Sequence, residues 1–147
     1  MDGSPTLDRI RAASVLRVGT TGDYTPFSLK QPDGSYRGAD IDMAYDLAER
    51  LGVVIEFVPT VWVDLLDDFL ADHFDIAMGG VTVTPERAEK AFFSVPTFVD
   101  GKRPLARREY RDRFTNFAAI DQPGCGSSPI PARPMRPSSA AISGKRR

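Results

Sequence analysis

The segment GGVTVTPER, residues 79–87, gathers the residue types best suited to binding chemistry. Gly79 and Gly80 carry no side chain, so a ligand can come close to the backbone amides there. Thr82 offers a hydroxyl. Thr84 with Pro85 behind it is an N-cap and first-turn pair, which predicts a short helix to about Ala91 whose unpaired N–H groups look back toward the same loop. Arg87 falls in the first turn of that helix, where the dipole disfavours a cation unless an anion lies between them. Its planar guanidinium can hold a carboxylate through two parallel hydrogen bonds. Two readings of Arg87 follow: a grip on a ligand carboxylate, or a solvated surface cation paired with Glu86 or another acid. A second candidate segment is TTGDY, residues 20–24, where Tyr24 carries an aromatic face and Asp23 is either a pocket acid or a turn former. Asp42 is open in the same way, between pocket acid and helix-terminus acid. The single histidine, His73, lies in the polar run DHFD and reads as solvated. With one histidine and one cysteine in 147 residues, an intramolecular disulfide is excluded, and neither a multi-histidine metal site nor a Ser–His relay is expected. No metal or cofactor is expected, and no catalytic residue is assigned.

The elements that must hold these residues alternate between strand and helix. VLRVG (15–19) is a β-branched run ending at glycine, and FSLK, a PDG turn and SYR read as a hairpin. Asp40 and Asp42 open a helix whose apolar positions Ile41, Ala44, Tyr45, Ala48 and Leu51 keep helical spacing up to Gly52 as C-terminal cap. VVIEFV (53–58) is the next strand. Trp62, Leu65, Leu66, Phe69 and Leu70 form a second amphipathic helix, and DIAM (75–78) a third strand running into Gly79 and Gly80. This order predicts an α/β fold with a mainly parallel sheet and right-handed crossovers. Ligands in such sheets sit beyond the carboxyl ends of the strands, where residues 20–24 and 79–84 leave the sheet.

Composition bounds the rest. The net charge of −1 points to no nucleic-acid partner, and no apolar stretch approaches the ~20 residues of a membrane span. The opening MDGSPTLDRI has neither a basic nor an apolar leader segment, so no signal peptide is expected in this sequence. Charge is divided unevenly along the chain. Five of the 19 Lys/Arg and none of the 20 Asp/Glu lie in residues 123–147, leaving 14 against 20, a net of −6, before them. That tail also holds five prolines, five serines and no hydrophobic period, so residues 123–147 are expected to be disordered.

The strings VLRVGTTGDYTPFSLKQPDGSYRGADIDMAYDLAERLG and FDIAMGGVTVTPERAEKAFFSVP resemble the bacterial extracellular solute-binding proteins of family 3, colinearly from about Leu7 to Pro123. Family members are amino-acid receptors of ABC importers and their enzymatic relatives. TTGDY, VPTVW, FDIAM, DGKRP and IDQPG favour the cyclohexadienyl dehydratase subgroup, which acts on prephenate and arogenate. The resemblance implies a periplasmic-binding-protein-like type II fold with lobe 1 (residues 1–103) largely present. Residues 104–122 would begin the crossover into lobe 2, which is mostly missing. It implies that Arg87 clamps the carboxylate of a small ligand (prephenate, arogenate or an amino acid), aided by Thr82 and the backbone at Gly80. Tyr24 would pack on the ligand and Trp62 line the pocket. Full-length relatives are periplasmic, and an importer permease is the alternative partner.

The likeness stops after DQPG (121–124), where relatives carry a TNPGGTNE segment. Codons reassembled from the third base of each residue and the first two of the next, with permitted third bases, spell TNPGATNE across residues 128–136. The expectation is therefore an out-of-frame tail after about Gly124, with Cys125 a by-product. The acid of that segment, a candidate to protonate a leaving hydroxyl, is absent, and the chain as written is expected to be inactive as a dehydratase.

Overall fold

The computed structural model describes residues 4–100, 106–110, 112–123, 138–139 and 142–145. They divide into two compact units, one of residues 1–99 with 137–147, the other of residues 100–136. The division falls a few residues before the expected boundary at 103.

The first unit is built on a five-stranded sheet. Its chain begins with α1 (Pro5–Ala13), β1 (Val15–Thr20), and a small antiparallel sheet of β2 (Asp23–Tyr24), β3 (Ser28–Lys30) and β4 (Tyr36–Arg37). The β3–β4 hairpin is the expected one, with Leu29 opposite Arg37. Its turn is set by Asp33, whose Oδ1 accepts from the Ser35 amide at 2.9 Å and the Ser35 hydroxyl at 2.6 Å. Then come α2 (Ala39–Leu51), β5 (Val54–Pro59), α3 (Leu65–Leu70), β6 (Ile76–Ala77), α4 (Pro85–Lys90), β7 (Ala91–Phe93) and β8 (Phe98–Val99). Gly52 ends α2 in the left-handed conformation, φ 69°, as its place in the sequence predicts. Helix α3 begins at Leu65, so Trp62 stands in the turn before it. The sequence reading did not contain α1, β2, β7 or β8.

Strand β1 pairs in parallel with β5 and with β6, register Val18 to Phe57 and Gly19 to Ala77. Helices cover both faces of the sheet. Adjacent residues of a strand point to opposite sides. Val18 joins a cluster with Ile10, Leu16, Ala44 and Ala48 of α1, β1 and α2. On the other side, a Cβ at Gly19 would sit 2.6 Å from the Phe74 ring, which belongs to the cluster of Leu65, Phe69, Ala77 and Val81. Glycine at 19 thus lets that second layer close on the sheet.

The tail departs from expectation. Residues 138–139 form β9 and residues 142–145 form β10, while residues 124–137, 140–141 and 146–147 lie outside the described residues. The sheet order is β5-β1-β6-β10-β7, with β10 antiparallel to both neighbours: Ile142 faces Ala77 on one side and Phe93 on the other. Strand β9 pairs with β8. The physical reason is backbone pairing: β6 and β7 each present an edge of N–H and C=O groups, and a strand between them satisfies both. Such pairing needs no hydrophobic alternation, so composition did not reveal it.

In the second unit the described residues lie within 100–123. They include a 3-10 turn at Arg108–Tyr110 and α5 (Phe117–Ile120), which Asn116 opens by accepting from the Ala119 amide at 2.9 Å.

Candidate functional site

The loops after β1, β5 and β6 leave the same edge of the sheet, because the three strands are parallel neighbours. The Thr60 amide donates to the Thr20 carbonyl (3.2 Å) and the Met78 amide to the Gly19 carbonyl (2.9 Å) at that edge. The candidate residues lie on these loops in two groups.

Arg87 and Thr82 form the first group. Thr84 caps α4 as expected: its Oγ1 accepts from the Arg87 amide at 3.3 Å, with Pro85 in the first turn. The Arg87 side chain folds back over the loop, and Nη1 donates to the Thr82 carbonyl at 3.1 Å. The guanidinium is half-buried, and among the described residues no carboxylate lies within ion-pair distance of it, Glu86 included. Burial pushes its pKa down, and the charge of Glu86 opposes this only in part. The Thr82 hydroxyl is buried and has no hydrogen-bond partner among the described residues. A desolvated cation and an orphaned hydroxyl side by side both cost free energy that an arriving anion would offset.

Gly80 takes a different part from the expected one. Its amide donates to Asp40 Oδ2 at 2.5 Å, and the Gly79 amide donates to the same oxygen at 2.9 Å. Asp40 is 3% exposed, at the start of α2. The anion held by the two glycine amides is thus the protein's own carboxylate. Sequence reasoning assigned Asp40 to the helix terminus alone. Its neighbour Asp42, two positions on in the same acidic pair, is exposed, and nothing in the pattern DID separates the buried acid from the solvated one.

Tyr24 and Trp62 form the second group. Their rings meet edge to face at 6.2 Å, and Tyr24 stacks on Phe27 at 5.2 Å. Trp62 Nε1 donates to Asp23, 3.0 Å to Oδ1 and 3.3 Å to Oδ2, so Asp23 orients the indole and is more than a turn former. Trp62 also packs against the cluster that contains Val81, the residue before Thr82, which brings its loop beside the first group. His73 is exposed, with Nδ1 3.1 Å from Asp68 Oδ1.

At the far end of the sheet a cleft of about 470 Å³ is lined by Pro5, Thr6, Arg9, Arg17 and Asp72. Its cations are already engaged: Arg9 and Arg17 lie 2.7 Å and 2.8 Å from Oδ1 of buried Asp75. The candidate residues Thr82, Arg87, Tyr24 and Trp62 lie at the opposite edge.

The profile of the bacterial extracellular solute-binding proteins, family 3, matches residues 16–139. The chain belongs to this family. The match runs past Gly124, where the sequence likeness noted above ends. The family 3 relatives include the cyclohexadienyl dehydratase of Pseudomonas aeruginosa, 50% identical over 80% of this chain and 44% of that protein. They also include the L-cystine-binding protein TcyJ of Escherichia coli, 32% identical over 69% of this chain and 38% of that protein. The chain thus spans under half the length of these curated relatives. A solved ancestral cyclohexadienyl dehydratase is 56% identical, with a TM-score of 0.65 over 84% of this chain and 51% of that one. A mutant of the arginine-bound form of domain 1 from TmArgBP is 25% identical, with a TM-score of 0.65 over 93% of this chain and 83% of that one. The periplasmic-binding-protein-like fold, with one lobe-sized segment present, is therefore that of the family. Among the described residues no helix is long and apolar enough to cross a membrane.

Proposed function

We propose that this chain holds a small carboxylate-bearing molecule on the edge formed by Thr82 and Arg87, with Tyr24 and Trp62 as its apolar wall. The observation that carries this reading is the half-buried Arg87 guanidinium, without a carboxylate of its own among the described residues, beside the orphaned Thr82 hydroxyl. The molecule is an amino acid or a prephenate-like acid, and the lineage is that of the cyclohexadienyl dehydratases. Greater identity to the ancestral dehydratase (56%) than to an ancestral amino-acid-binding precursor (43%) supports that lineage over an importer receptor. The reading is of binding without turnover: among the described residues on this edge, the Asp23 carboxylate is engaged by the Trp62 indole. That a structure of domain 1 from TmArgBP is described as its arginine-bound form supports binding by one lobe.

The test is titration calorimetry with prephenate and with L-arginine on the wild type and on Arg87→Ala, alongside phenylpyruvate absorbance. Saturable binding of one of them, lost in Arg87→Ala, with no phenylpyruvate formed, is expected. Equal affinity in the two proteins would place the carboxylate elsewhere, and phenylpyruvate formation would make the chain an enzyme.

A further inference from the structure

We infer that Asp40 is a positioning residue for the carboxylate site: it is a built-in anion that fills the cradle of Gly79 and Gly80 and thereby fixes where Thr82 and Arg87 stand. The inference deepens the proposed function and rests on it for the identity of the site. Gly79 and Gly80 have φ of 144° and 71°, backbone that favours glycine, and together they turn two successive amides toward one point. A Cβ at Gly79 would approach the Thr20 hydroxyl to 2.9 Å, so the turn is also pressed against β1. Asp40 Oδ2 occupies the point where the amides converge. The aspartate is itself anchored, its own amide donating to the Phe27 carbonyl at 3.1 Å, and the first turn of α2 favours its negative charge. From this clamp the chain passes through Val81, 2% exposed, directly to Thr82, whose carbonyl receives the Arg87 guanidinium.

Two consequences follow. The glycine amides are closed to a ligand, so an incoming carboxylate is directed to Thr82 and Arg87. And because charge-assisted hydrogen bonds are about twice as strong as neutral ones, the loop's geometry depends on the charge of residue 40 as well as on its shape. Asp40 acts through the loop and touches no reacting atom.

Asp40→Asn keeps the shape and one acceptor oxygen while removing the charge. In amide and guanidinium proton–nitrogen spectra of the ligand-free protein, the Gly79 and Gly80 amide protons should move upfield. The Thr82 amide and the Arg87 Nε–Hε signal should move with them. Prephenate affinity should fall roughly tenfold, the worth of one such hydrogen bond. Added to Arg87→Ala, Asp40→Asn should cost much less than the tenfold it costs in wild type. Thr82 and Arg87 signals that stay in place while the glycines move would overturn the inference, as would additive losses. Should wild type bind neither prephenate nor L-arginine, the proposed function falls, and the spectra still decide the role of Asp40. If the variant does not fold, hydrogen exchange on wild type decides: Gly79 and Gly80 amides should be protected as well as the amides of β1, and fast exchange refutes the clamp.

Discussion

At the scale of single residues, the sheet is fastened at one end by charge and carries the proposed ligand groups at the other. Asp75 is buried, with 1% of its side chain exposed, and receives Arg17 through Nη2 at 2.8 Å, the Arg17 amide at 2.9 Å, and Arg9 at 2.7 Å. Burial alone would raise its pKa, but the hydrogen bonds and charges of Arg17, with the charge of Arg9, outweigh it and hold the carboxyl below its ordinary 3.8. A depressed folded-state pKa adds stability above the unfolded value and loses it as pH falls through the folded one. Thermal unfolding should therefore show a midpoint that drops below about pH 4. Asp75→Asn should flatten that dependence and, by leaving Arg17 without its carboxylate, cost about 3 kcal/mol at neutral pH. A pH profile identical in the two proteins would remove Asp75 from the account. At the other end, Trp62 is the only tryptophan, and its indole is held by Asp23. Its emission should change as a carboxylate ligand binds, whereas an Asp23→Ala variant should show a shifted free-state spectrum and a smaller change. Emission indifferent to saturating ligand would take Trp62 out of the pocket wall.

At the scale of elements, the loop leaving β6 and the strand that closes the sheet are the two places where local geometry decides most. Gly79→Ala places a Cβ at φ 144° and 2.9 Å from the Thr20 hydroxyl, and should cost at least about 1–3 kcal/mol in denaturant unfolding. A stability loss of a few tenths would mean that the turn relaxes freely. Deleting residues 137–147 removes β10 from between β6 and β7 and leaves two strand edges unpaired. That form should melt earlier and self-associate at high concentration in sedimentation, and an unchanged melting point would show that the slot contributes nothing. These same elements mark how far the sequence could be read. Periodicity and caps foretold β1, α2, β5, α3 and α4, because a buried apolar stripe, Gly52 and Thr84 each leave a local trace. The loop of Gly79 and Gly80 was visible as an anion cradle, but not its occupant. An Asp40 carboxylate 39 residues earlier in the chain leaves no signal in spacing. Strand β10 was hidden for a related reason, since pairing on both edges is a long-range backbone event in a segment whose composition reads as disordered.

At the scale of the whole molecule, one lobe-sized segment carries the proposed clamp of Thr82 and Arg87 on one edge. A cleft closed from both sides buries most of a small ligand, whereas a single lobe supplies contacts from one side only. Arg87 is half-buried, so part of its field passes through water and its attraction to a carboxylate is screened. Val95 is exposed on the segment between β7 and β8. Affinity of the 147-residue chain for prephenate or an amino acid should accordingly lie near millimolar, about −4 kcal/mol. It should weaken as salt is raised from about 0.01 M to 0.15 M, where the screening length shortens from about 30 Å to 8 Å. Calorimetry at the two salt concentrations measures both quantities. Micromolar binding that ignores salt would mean that the lobe buries its ligand without help, and the open half-site would be the wrong description of this edge.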